Sequence, residues 1–119
     1  MLNVKIPQFD YGYREQFTIY SDGRQLSPKD LTDLNARLIV WDSPTSTVIN
    51  KELQIAGDPT SGIVYWLIEQ GETNNFGNFK AEIQLYQEQE VERQTQVVMV
   101  YSTMQFNLQI IPSWQGGQS

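Results

Sequence analysis

Apolar residues in this chain recur at every second position. Ala36, Leu38 and Val40 alternate with Arg37, Ile39 and Trp41. Phe79, Ala81, Ile83 and Leu85 alternate with Lys80, Glu82, Gln84 and Tyr86. Met104, Phe106, Leu108 and Ile110 alternate with Thr103, Gln105, Asn107 and Gln109, and Phe17 and Ile19 flank Thr18. Successive side chains on a strand point to opposite faces, so each stretch predicts a strand with one buried face. Turn signals separate them: Ser21-Asp22-Gly23, Ser43-Pro44-Thr45, Gly57-Asp58-Pro59 and Thr73-Asn74-Asn75. The pattern predicts strands near 2–6, 13–20, 35–42, 46–55, 62–69, 77–87, 94–101 and 103–111. Short strands at such spacing indicate an all-β sandwich or barrel of seven to eight strands. Pro28-Lys29-Asp30-Leu31-Thr32 leaves room for one helical turn, and the polar run 87–94, QEQEVERQ, reads as the tip of a long hairpin.

Residues 63–68, IVYWLI, break the alternation. Val64, Trp66 and Ile68 take one face, and Ile63, Tyr65 and Leu67 take the other. The first set joins Phe17, Ile19, Leu38, Val40, Phe79, Ile83, Leu85, Phe106 and Leu108 as the expected core. The second set, with Ile39 and Trp41, is surplus, because a two-layer sandwich needs one apolar face per strand. Val97, Val98, Met99, Val100 and Tyr101 repeat the feature. Either the chain folds a loop or terminus over the surplus stripe, or a protein partner covers it. Aromatics make up 12% of the residues, more than a core of this size requires, which favours the partner. Ile39, Trp41, Ile63, Tyr65 and Leu67 are therefore the expected partner interface, in a homo-oligomer or a larger assembly.

Composition narrows the chemistry. The 119 residues make one domain, with 1–112 as the β-sandwich and 113–119, SWQGGQS, as a flexible tail or the start of a linker. There is no Cys and no His, so disulfides, thiolate metal sites, cysteine nucleophiles and the usual triads are excluded. Net charge is −6 and the eight Lys and Arg are scattered, which disfavours nucleic acid. No apolar run approaches the 18–20 or so residues that cross a bilayer, and MLNVKIPQ is not a signal peptide. Glu88, Glu90 and Glu92 sit at spacing two but lack a facing carboxylate across a cleft. Asp22, Asp30, Asp33, Asp42 and Asp58 fit no calcium cage, and turn and capping roles account for them. No glycine-rich phosphate loop and no activated Ser or Thr is present. The chain is expected to be non-enzymatic, without metal or cofactor. A saccharide-binding or adhesive module, with Trp41 and Tyr65 stacking on sugar rings, is the less favoured alternative.

One stretch, 23–86, carries a more specific signal. It holds Asp30-Leu31-Thr32 after the Asp22-Gly23 turn, a strand ending at Asp42, then Gly62-Ile63-Val64-Tyr65-Trp66-Leu67-Ile68, then Gly77-Asn78-Phe79-Lys80-Ala81-Glu82. This order resembles the N-terminal domain of baseplate upper proteins from tailed phages of Gram-positive bacteria. The resemblance implies an immunoglobulin-like antiparallel β-sandwich in the virion tail or baseplate, made in the host cytoplasm. It implies a domain that holds or connects the host-adhesion apparatus through contacts with other phage tail proteins. Asp33 departs from the pattern, standing where a Gly often follows the Asp-Leu-Thr motif.

Overall fold

The computed structural model of the chain describes residues 3–21, 27–43, 45–103 and 105–112. Among these, eight strands form: β1 (Asn3–Pro7), β2 (Arg14–Thr18), β3 (Asn35–Ser43), β4 (Ser46–Ile55), β5 (Ile63–Leu67), β6 (Gly77–Val91), β7 (Gln94–Ser102) and β8 (Phe106–Ile111). The other regular element is one 3-10 turn, Pro59–Ser61. The chain is all-β. The strand order along the sheet is β1-β8-β6-β3-β4-β5-β2, with β7 also paired to β6.

Two strands shape this path. β4 pairs with β3 from Ser46 to Leu53, then with β5 through Gln54 and Ile55, so it carries the curled sheet from β3 on to β5. β6 is long enough to serve three neighbours. One edge pairs with β3, and the other pairs first with β8 and then with β7. The path curls until its far ends meet: Phe17 of β2 lies 5.7 Å from Phe106 of β8, ring centre to ring centre. The enclosed core contains Phe17, Ile19, Leu38, Val40, Val64, Trp66, Ile68, Phe79, Ile83, Leu85, Phe106 and Leu108. Val4, Ile6, Leu31, Ala36, Leu53, Ala81 and Ile110 complete it.

The structure departs from the sequence expectations in three places. β1 pairs with β8 in parallel, whereas every other strand pair is antiparallel. A parallel pair needs a long crossover, and the intervening domain supplies it. No helical turn forms at 28–32, because Asp30 closes an Asx turn in which its Oδ1 accepts from the Thr32 N–H and hydroxyl. Asp58 and Thr60 repeat that arrangement, and there it starts the 3-10 turn. The two turns are joined by the Leu31 N–H, which donates to the Pro59 carbonyl at 2.9 Å and drops Leu31 into the core. The 87–94 run is the tip of a long hairpin, as expected, but its first strand reaches further out: β6 continues to Val91 and β7 begins at Gln94, leaving only Glu92 and Arg93 to turn the chain. Both have positive φ, 51° and 69°, the backbone that a two-residue hairpin requires. The expected tail, 113–119, lies outside the described residues, as do the Asp22-Gly23 turn, Pro44 and Met104.

Candidate partner interface

β5 is flanked by β2 and β4, and the register sets what each of its faces meets. Val64 lies opposite Phe17 and Ile55, and Trp66 opposite Glu15. On the other face Thr18 is opposite Ile63, Arg14 is opposite Leu67, and Tyr65 sits between Gln16 and Gln54. The inner set is buried. On the outer face Ile63 and Tyr65 are half-buried and Leu67 is 43% exposed. The Arg14 guanidinium lies 4.3 Å from the centre of the Tyr65 ring, a cation–π contact that occupies one ring face.

β3 treats its surplus residues differently. Ile39 is only 7% exposed although it faces away from the core. Its register neighbours are Asn50 and Glu82, and the adjacent row holds Arg37 between Glu52 and Gln84. Arg37 Nε donates to Gln84 Oε1 at 2.8 Å, Gln84 Nε2 donates to Glu82 Oε1 at 2.9 Å, and the guanidinium lies 5.1 Å from the Tyr86 ring centre. This polar layer buries Tyr86 as well, and long side-chain stems shield apolar surface while their heads stay wet. Ile39 therefore has little area left for a partner. Trp41 follows a register irregularity between Val40 and Trp41 and is half-buried. The surplus stripe resolves into a closed part at Ile39 and an open part at Leu67.

Further apolar exposure lies on loops, where alternation could not reveal it. The segment 8–13 is bound to the loop after β5 by backbone and side-chain links, among them Gln8 Nε2 donating to the Asn74 carbonyl at 2.7 Å. Phe9 N–H donates to the Thr73 carbonyl, Gly12 N–H to Ile68, Ile68 N–H to Tyr13, and Thr73 Oγ1 to the Asp10 carbonyl. These hold Phe9, Tyr11, Tyr13 and Phe76, all exposed, on loops at the Leu67 end of β5. Their signal in the sequence was aromatic density in loops, which period-two reading ignores.

A groove of about 280 Å³ is lined by Val40, Ile49, Glu72, Phe79 and Ile110 among others. Lys51 lies on the core-facing register of β4, opposite Leu38, and is neutralised by Glu69 and Glu72. Glu72 Oε1 also accepts from the Trp66 indole N–H at 3.3 Å and from the Glu69 N–H at 2.7 Å. The hydrogen bond from Lys51 to Glu69 raises the Lys51 pKa above the usual ammonium range. The cluster satisfies the polar end of a fully buried tryptophan, which is a structural task. Elsewhere, hydrogen bonds from Thr32 hold the Asp30 carboxyl below its usual range, and Glu88 and Glu90 project from one face of β6. Among the described residues, no three carboxylates gather as a metal site.

Residues 14–114 match the family model of the BppU N-terminal domain, the N-terminal domain of baseplate upper proteins. The chain belongs to this family. It is a structural domain of the phage baseplate, located in the virion tail and working in contact with other phage proteins. No curated protein matches the chain. Asp33, which follows the Asp-Leu-Thr motif, has φ 61°, the left-handed region that glycine adopts freely and that Asp tolerates better than most residues. β1 lies ahead of the matched residues, yet it contributes Val4 and Ile6 to the core.

Proposed function

We propose that this domain connects the host-adhesion apparatus to the tail through the outer face of β5 and β2. Leu67, Tyr65 and Ile63 form the contact, with Trp41 as an outlying member. The carrying observation is Leu67: a large apolar side chain, 43% exposed, at the end of β5 opposite Arg14, near loops that expose Phe9, Tyr11, Tyr13 and Phe76. Apolar surface of this kind, rimmed by Arg14, Gln16 and Gln54, has the make-up of a protein contact. The same reading takes the curled sheet as an immunoglobulin-like sandwich, supported by the passage of β4 from β3 to β5 and the Phe17–Phe106 contact. Its chemistry is binding without catalysis.

The saccharide reading is less well supported, because Arg14 already covers one face of Tyr65 and Trp41 is half-buried. The test is co-expression of the domain with the other baseplate proteins. Leu67→Glu is expected to abolish its incorporation while leaving its thermal unfolding unchanged, because the residue lies outside the core. Incorporation at the wild-type level would overturn the reading. Quenching of tryptophan fluorescence by a cell-wall glycan, lost in Tyr65→Ala, would instead establish the saccharide module.

A further inference from the structure

β6 outruns its neighbours. Its pairing with β3 ends at Tyr86, and beyond that point only β7 accompanies it, from Gln87↔Val98 to Val91↔Gln94. The result is a two-stranded arm in which every residue from Glu88 to Val98 is exposed. Fifteen residues at about 3.3 Å each make β6 about 50 Å long, comparable with the 53 Å long axis of the molecule. Among the described residues β7 pairs with β6 alone, so its other edge presents unpaired backbone donors and acceptors.

Exposed strand edges invite pairing, and proteins blunt them with charge or proline. The terminal strands of the path follow that rule: β1 carries Lys5 and Pro7, and β2 carries Arg14 and Glu15. β7 does not. Arg93 is the last charged residue of the sequence, and 94–119 contains no Asp, Glu, Lys or Arg. The charge of the arm sits one strand inward, on Glu88 and Glu90 of β6, and at the tip.

We propose that β7 pairs edge to edge, antiparallel, with β7 of a second copy of this chain. Charge leaves this edge open to that occupant. Each copy carries a net charge of −6, so two copies repel unless they meet where charge is remote. Across a β6-β7-β7-β6 ribbon the two glutamate rows stand three strand spacings apart, about 14 Å. That exceeds the Debye length of about 8 Å at physiological ionic strength. An antiparallel pairing is self-complementary when a two-fold axis passes through one residue position. Val98 provides it: the uncharged run 96–100 then meets itself, and Gln94 meets Ser102. This contact uses a different surface from Leu67 and stands independently of it.

Light scattering coupled to size exclusion tests the proposal on the chain itself. The wild type is expected at twice 13.7 kDa, and Val98→Lys at 13.7 kDa, because two lysines then meet on the axis. Val91→Lys, on the same face of the arm but near its tip, is expected to remain dimeric. The chain has no native Cys, so single cysteines report the register directly. Val98→Cys is expected to form a covalent dimer under mild oxidation and Val91→Cys is not. A monomeric wild type, as expected if β7 instead takes a strand of another tail protein, overturns the proposal. So does equal dissociation by Val98→Lys and Val91→Lys, or equal cross-linking of the two cysteine variants. Leu67→Glu is expected to leave the dimer intact, so failure of this contact and failure of the β5 contact are separable.

Discussion

Glu15 shows how one position can oppose the fold that contains it. Strand alternation places it on the core-facing register of β2, opposite Trp66. It is half-buried there, and burial raises its carboxyl pKa above the usual range. The unfolded chain then loses this proton more readily than the folded one. Stability from this group is present below the ordinary Glu pKa, about 4.3, and is lost as pH rises through the higher folded value. Glu15→Gln is therefore expected to raise the melting temperature at pH 7. The advantage should shrink to nothing below about pH 4, where both states are protonated. Melting curves of the two proteins across pH 3–8 check this, and an advantage that persists at low pH would refute the cause. Glu72 is the contrasting case: its carboxylate meets an indole N–H, a backbone N–H and an ammonium, so its charge is used.

At the scale of elements, the start of β5 depends on Gly62. It closes the 3-10 turn at φ 71°, and its carbonyl accepts from the Ile19 N–H at 2.7 Å. A Cβ there would stand 2.5 Å from the Ile19 carbonyl oxygen and 3.1 Å from the Lys29 nitrogen, both backbone atoms that cannot turn aside. Gly62→Ala combines a left-handed backbone with that clash, so a loss of about 2–4 kcal/mol is expected. Urea unfolding monitored by tryptophan fluorescence measures it, and a loss below about 1 kcal/mol would show that the turn can shift. The strands themselves were legible, because period two survives in β3, β6 and β8, where one face is dry and one is wet. Their ends were less so. The run 87–94 reads as a hairpin tip, yet cross-strand pairing with β7 extends β6 to Val91. The 28–32 segment left room for one helical turn, but the local Asp30–Thr32 hydrogen bonds won.

At the scale of the molecule, closure of the sheet rests on contacts between its ends. Phe17 on β2 and Phe106 on β8 touch although four strands of the path, β5, β4, β3 and β6, lie between them. Phe17→Ala removes a buried ring at this meeting point and is expected to cost about 3–5 kcal/mol. Equilibrium unfolding in urea checks the value. A cost near 1 kcal/mol would mean that the ends stay closed without it.

The alternation of apolar and polar residues by itself determined the all-β class, the strand sequence and the inward set, since side-chain parity on a strand is a local property. The same parity placed Ile39 and Leu67 in one surplus stripe and could separate them no further. Only the tertiary structure distinguished them. Ile39 is covered because β6 brings Gln84 and Tyr86 beside Arg37, whereas Leu67 has Arg14 opposite and no such layer. Exposure depends on which strands become neighbours, and neighbours distant in sequence are chosen by the folded sheet.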